Sequence, residues 1–392
     1  MAQRDRLRSE KIYIKIHQGK ITDESENLPE ANKMTGFKRT DTISGMTFSH
    51  GGRIYEAEKN HKRRFIDFSA SINPLGIPLN VKNKIFREFD RVLHYPDQRD
   101  TINAISDYLG IKDENLLVGN GSSEFIYLLF QALSPKTVII PEPTFSEYER
   151  AAGVNGCRVR FLEMETEKFS LNLSEMDASD MIFLCNPNNP TGNLVIKSYD
   201  EIKNLPQKFI VIDETFIDFL PDFSRRTFIR YAVKDKRIII IRSFTKFFAM
   251  PGLRIGYIIA DKDIIKLLKN HQIPWSVNSI GLVAAKLMLK NKKYITATLK
   301  KIEKERKYLF DEISKTGCFI PYPSVANFLL IKIIKKELTS SIIAESLIKN
   351  GLLIRDCSNF RGLDDKFFRV AVLSHKDNVK LISSLKKSYK NE

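Results

Sequence analysis

Residues 181–192 read MIFLCNPNNPTG, five apolar residues in a row followed by a stretch of turn formers. An unbroken apolar run of that length, closed by Asn, Pro and Gly, reads as a strand buried on both faces. The same unit recurs along the middle of the chain as TVII (137–140), FIVI (209–212), RIIII (237–241) and IGYII (255–259), with polar turns and helical stretches between the runs. Strands alternating with helices predict an α/β fold with a mainly parallel, doubly wound sheet. Such a sheet binds its ligands at the carboxyl ends of its strands. The run 181–185 opens into Asn189, the run 209–212 ends in Asp213-Glu214, and the run 237–241 leads through RSFT to Lys246. An amide, a carboxylate and an amine are thereby expected at one edge.

Outward from this centre the texture changes. Residues 1–45 are polar and mixed in charge, with only the alternation of Ile12, Ile14 and Ile16 suggesting a strand. Beyond Gly281 a charged helical region (284–314) leads to 326–333 (ANFLLIKI), a helix over 339–350, and the runs 352–355 and 368–372. The expected division is an extension at 1–46, an arm and small-domain segment at 47–80, a large domain at 81–285 and a smaller C-terminal α/β domain at 286–392. A 392-residue chain with 43% hydrophobic residues can bury a sizeable core. The first 30 residues are charged throughout and no apolar run spans a bilayer, so a cytoplasmic protein without membrane contact is expected. The formal net charge is +16, but Lys and Arg are spread rather than blocked, which favours an anionic small molecule over nucleic acid. The four cysteines stand singly, without the spacing of a zinc site, and no metal is expected.

Taken alone, Lys246 would be a solvated surface charge, Asp213 a helix cap and NPNNPTG a loop. Their order, with SFTK (243–246) and GLRIGY (252–257), resembles the aminotransferase-like superfamily of fold-type I pyridoxal-phosphate enzymes, from His50 onward. That resemblance implies the aspartate aminotransferase-like fold and pyridoxal 5′-phosphate held as a Schiff base on Lys246. It further implies Asp213 at the pyridine nitrogen, Asn189 at the phenolic oxygen and Phe145 (in PTFSEY) stacked on the ring. The phosphate falls to Gly121, Ser122 and Ser123 (in GNGSSE, 119–124), Ser243 and Arg254, where a helix N-terminus and a guanidinium suit an anion. Tyr95, in HYPD, resembles a tyrosine that reaches the neighbouring subunit's phosphate, which implies a homodimer with shared sites. One departure is plain: the family often has Tyr three residues after the aspartate, where this chain has Phe216.

Within the superfamily, SHGGRIYE (49–56), DFSASINPLG (67–76), PWSVNSIG (274–281) and LLIRDCSNFRGL (352–363) are similar to the L-threonine-O-3-phosphate decarboxylases of cobalamin biosynthesis. By that resemblance Arg369 grips the substrate carboxylate, and His50, Gly51, Asn73, Asn189 and Arg355 complete the substrate site. A phosphate ester brings about −1.5 to −2 charge, so cations are what it requires. Histidinol-phosphate aminotransferase is a second reading, and a non-catalytic regulator keeping the cofactor fold a third. Phosphothreonine and phosphoserine differ by one methyl, worth only about 1–3 kcal/mol in a pocket, so the choice between them stays open. Residues 1–46 also depart from the family, in which HGG stands near the start of the chain.

Overall fold

The computed structural model describes residues 50–174 and 176–389. The strand expected around Ile12–Ile16, and the extension as a whole, lie outside them. The central sheet is seven-stranded, in the order β2-β8-β7-β6-β5-β3-β4. Its strands are β2 (Leu116–Gly119), β3 (Thr137–Glu142), β4 (Arg158–Glu163), β5 (Met181–Cys185), β6 (Phe209–Asp213), β7 (Ile238–Ser243) and β8 (Gly256–Ile259). All five apolar runs read from the sequence are strands of this sheet. Ile238, Ile239, Ile240 and Ile241 have no exposed surface at all. Full burial of each such side chain stabilises the fold by about 1.5–3 kcal/mol, which is why an uninterrupted apolar run can persist only here.

One expectation needs correction. The run 255–259 forms β8, but β8 lies antiparallel to both β7 and β2. A parallel return needs a crossover, usually a helix, and the connection 244–255 contains only the 3-10 turn Pro251–Leu253. The chain therefore reverses. Two further strands gave weak signals. β2 offers only Leu116, Leu117 and Val118, and β4 alternates apolar with charged residues (RVRFLE), as an edge strand does.

A second sheet of four antiparallel strands has the order β12-β13-β10-β9. It is built from β9 (Phe319–Pro321), β10 (Phe328–Ile333), β12 (Arg355–Asp356) and β13 (Phe367–Ala371). The run read as one strand at 352–355 is divided: β11 (Leu352–Leu353) instead pairs in parallel with β1 (Ile66–Asp67). The helical region 284–314 is likewise two helices, Ser279–Leu289 and Lys292–Ser314, and Asn291 caps the second by accepting from the Tyr294 N–H at 3.1 Å. Among the described residues no helix is long and apolar enough to cross a membrane.

The register carries the chemistry. Cys185 is paired with Asp213 and Asp213 with Ile241, so β5 and β6 end level and β7 runs two residues further, to Ser243. Beneath that edge Arg242 is wholly buried, its guanidinium shared between Glu214 (3.1 Å) and Asp218. Glu214 also accepts from the Phe228 N–H (2.8 Å) and the Thr227 hydroxyl (2.6 Å). A buried ion group is tolerated only when its hydrogen bonds are met, and this one ties the ends of β6 and β7 together.

Candidate functional site

A cavity of about 210 Å³ opens at the carboxyl ends of β5, β6 and β7. Its lining includes Lys246, Asp213, Asn189, Phe145, Ser122, Ser123 and Arg254, together with His50, Gly51, Arg355 and Arg369. Residues separated by three hundred positions thus converge on one hollow.

Lys246 opens onto the cavity, yet protein encloses its amine. Burial, reinforced by the Arg369 and Arg254 cations, lowers its pKa from 10.5 to about 8. Asp213 is almost fully buried, and burial pushes its pKa upward. Hydrogen bonds oppose that push: the Thr215 N–H donates to one oxygen (2.9 Å) and the Tyr148 hydroxyl to the other (2.7 Å). Phe145 packs edge-on against Tyr148, and Phe216 stands edge-on to Phe328.

One corner of the cavity is made by the N-terminus of the helix Ser122–Leu133 and by Arg254, groups that suit an anion. Gly121 does not line the cavity but makes the corner possible. Its φ is +77°, and a Cβ there would stand 2.7 Å from the Arg254 guanidinium. Ser243 is also set back: its hydroxyl is 2.8 Å from that of Thr245, and Thr245 is the one that faces the hollow.

On the opposite wall, Arg369 is buried, and that burial lowers its pKa to about 10. It donates to the Asn189 side-chain oxygen and to the Ser69 carbonyl (3.0 Å), over the Phe328 ring. Arginine can only donate, so the Asn189 amide oxygen is committed and its NH2 end is left for a ligand. Arg355 donates to the Asn359 side chain (2.8 Å) and lies over the Phe360 ring. His50 is 2.8 Å from Glu147, whose other oxygen accepts from the Tyr127 hydroxyl at 2.9 Å. The His50 hydrogen bond, ahead of that from Tyr127, holds the Glu147 carboxyl below its usual range. Gly51 is pressed so close to Ser69 that a Cβ would meet the Ser69 carbonyl oxygen at 2.3 Å.

Besides Gly121 and Ser243, Asn73 and Tyr95 are absent from the cavity lining, Tyr95 having been expected at the neighbouring subunit's site. The Asn73 amide donates to the Phe247 carbonyl (2.7 Å), Tyr294 (2.9 Å) and Thr298 (2.8 Å), and the Asn73 N–H donates to the Lys246 carbonyl at 3.1 Å. Asn73 fastens the Lys246 loop to the helix Lys292–Ser314 from behind. Tyr95 is 77% exposed, away from the cavity, and stacks on Trp275 with ring centroids 4.4 Å apart. Conversely, Tyr148, Thr215, Thr245 and Phe360 line the site without having been singled out, and Glu147 supports it. Tyr148 and Glu147 sit in PTFSEY beside Phe145, but nothing in that string pairs Glu147 with residue 50 or Tyr148 with residue 213.

The profile of the family described as aminotransferase class I and II matches residues 63–385, and this match spans every strand that builds the cavity except for the arm carrying His50 and Gly51. The chain belongs to that family. Its cofactor is pyridoxal 5′-phosphate. The chain is similar to the threonine-phosphate decarboxylase of Salmonella typhimurium, with 33% identity over 355 residues, covering 86% of this chain and 96% of that protein. It is also similar to the histidinol-phosphate aminotransferase of Methanocaldococcus jannaschii, with 30% identity over 322 residues, covering 78% and 84%. Among solved structures, the histidinol-phosphate aminotransferase from Clostridium acetobutylicum matches with a TM-score of 0.76 and 35% identity, covering 83% of this chain and 99% of that one. In aminotransferase class I and II terms the chain is a pyridoxal-phosphate-dependent enzyme.

Proposed function

We propose that this enzyme decarboxylates L-threonine O-3-phosphate or L-serine O-phosphate. The products are carbon dioxide and (R)-1-amino-2-propanol O-2-phosphate or ethanolamine phosphate, for the linker of the cobalamin nucleotide loop. The observation that carries this reading is the set of Arg355, Arg369 and His50 in the same hollow as Lys246. A substrate with two separate anionic groups would meet a cation at each.

The donor set fits the cofactor. Lys246 would hold its aldehyde carbon, Asp213 its ring nitrogen, Asn189 its phenolic oxygen and Phe145 its ring face. Ser122, Ser123 and Arg254 would hold its phosphate, with Gly121 clearing space and Ser243 behind Thr245. With Phe216 in place of a tyrosine, Asn189 is left as the donor to the phenolic oxygen. Once bound, pyridoxal phosphate supplies an electron sink for whichever bond at the substrate Cα stands perpendicular to its ring. Orientation then decides the outcome. Arg369 on the carboxylate, with Arg355 and His50 on the phosphate, would fix the carboxylate perpendicular, so that the Cα–carboxylate bond breaks and carbon dioxide leaves. Lys246 in its ammonium form, or a nearby acid, would return a proton to Cα.

Histidinol-phosphate aminotransferase remains the second reading, because a relative 30% identical and a solved structure 35% identical bear that name. We further propose a homodimer formed through the face around Tyr95, where Leu79, Phe86, Phe89, Leu93 and Ile273 are all more than half exposed. Incubation of the loaded protein with O-phospho-L-threonine, O-phospho-L-serine and histidinol phosphate separates the two readings. Carbon dioxide released without an oxo-acid acceptor supports the decarboxylase. Acceptor-dependent turnover of histidinol phosphate without gas would sink it.

A further inference from the structure

We infer that Arg361 is a positioning residue: it straps the connection between β12 and β13 onto the central sheet and so holds Arg355 at the cavity. The inference rests on the reading of Arg355 as a ligand of the substrate phosphate.

Three contacts fix Arg361, each to a different element. Its guanidinium lies 4.0 Å from the centre of the Phe161 ring on β4. It donates to Glu149, in the helix Glu147–Val154, at 2.8 Å, and stands 3.6 Å from Glu142 at the end of β3. The next residue, Gly362, has φ +79° and passes so close that a Cβ would lie 3.3 Å from the Pro143 nitrogen. The two preceding residues reach Arg355. Asn359 accepts from Arg355, and Phe360 lies beneath the Arg355 guanidinium while lining the cavity. Four consecutive residues, 359–362, thus run from Arg355 to a foothold on the central sheet.

Between this strap and the sheet lies a second hollow of about 370 Å³, lined by Phe145, Phe161, Glu142, Asn359, Phe360 and Arg361 among others. Packing does not seal the strap along its length, so its hold depends on the contacts that cross the gap. Arginine suits that task, because one planar group can stack on a ring and donate to carboxylates at its edge. Lysine, a point charge, has no plane with which to do both at once. Glu142 and Glu149 are largely buried, so losing the guanidinium would leave carboxylates without their cation.

The test uses pyridoxal-phosphate-loaded protein, with O-phospho-L-serine and O-phospho-L-threonine as probes. Arg361→Ala should raise KM roughly tenfold or more, as expected when an anchoring group shifts by about an ångström, with a smaller change in kcat. Amide hydrogen exchange should quicken over 357–363 and not in the central strands. Arg361→Lys should fall between Arg361→Ala and the parent in both measurements. In an Arg355→Ala background the further change Arg361→Ala should raise KM little more, because the two act through one path. An unchanged KM in Arg361→Ala, or full additivity of the two substitutions, would overturn the inference while leaving the function standing. If Arg355→Ala itself leaves KM unchanged, the phosphate reading fails, and this inference with it.

Discussion

Arg355 and Arg369 face one another across β12 and β13, and both line the cavity that contains Lys246. Both are buried, and burial first, then the Arg355 cation, lowers the pKa of Arg369. On the proposed function Arg369 receives the substrate carboxylate. Arg369→Ala should therefore lower kcat/KM for a phosphorylated amino acid by roughly a hundredfold, the scale set by losing one partner of a buried charge pair. Cofactor retention, followed by absorbance after gel filtration, should change far less. The opposite pattern would remove Arg369 from the substrate carboxylate.

Lys246 makes a prediction in pH. Its amine has a pKa near 8 rather than 10.5, because burial first, and then Arg369 and Arg254, disfavour the ammonium form. The reactive free amine therefore accumulates as pH rises through about 8. The rate at which cofactor-free protein captures pyridoxal phosphate should rise with pH around that midpoint. Arg369→Met removes a cation and should move the midpoint upward. A parent midpoint above 10 would contradict the enclosure drawn for this amine. Lys246→Ala should lose the visible absorbance of the captured cofactor altogether.

Tyr148→Phe tests the support of Asp213. The phenol donates to one carboxylate oxygen at 2.7 Å and helps to offset the upward push of burial. Without it Asp213 holds a proton more readily and grips a pyridinium less well. A hydrogen bond to a charged group is worth about 1.5–3 kcal/mol, so the dissociation constant of pyridoxal phosphate should rise roughly ten- to a hundredfold. Absorbance titration measures it, and an unchanged constant would show that Thr215 alone suffices.

Gly51→Ala tests the arm. The added methyl would stand 2.3 Å from the Ser69 carbonyl oxygen, and backbone cannot swing aside as a side chain can. The arm must lift, taking His50 from Glu147 and from the cavity. KM for the phosphorylated substrate should rise roughly tenfold, the strain of overpacking being about 1–3 kcal/mol. Thermal melting should stay close to the parent's, since His50 and Gly51 lie outside every strand of the three sheets among the described residues. A parental KM would place His50 outside the substrate site.

How much of this was legible beforehand depends on whether a residue acts through its neighbours in the chain or across space. The runs at 137–140, 181–185, 209–212, 237–241 and 255–259 could be read as strands because a strand buried on both faces must be apolar without interruption. Asn189, Asp213 and Lys246 stand at or just past their ends, so the gathering of amide, carboxylate and amine could be expected from where the runs stop, once the three strands are neighbours. The reversal of β8, by contrast, depended on the absence of a crossover helix in 244–255, a weaker signal than hydrophobicity. β4 was hidden because an edge strand alternates and carries charge.

The amino-acid order by itself determined the buried strands and the reactive groups at their tips, because burial of apolar side chains and the geometry of the chain act locally and leave a local pattern. Only the tertiary structure decided that Asn73 braces the Lys246 loop instead of lining the cavity, that Thr245 stands in front of Ser243, and that His50 meets Glu147. Those outcomes are set by hydrogen bonds and close contacts between residues far apart in the chain. Such interactions have no period, and neither partner's type reveals the other's position.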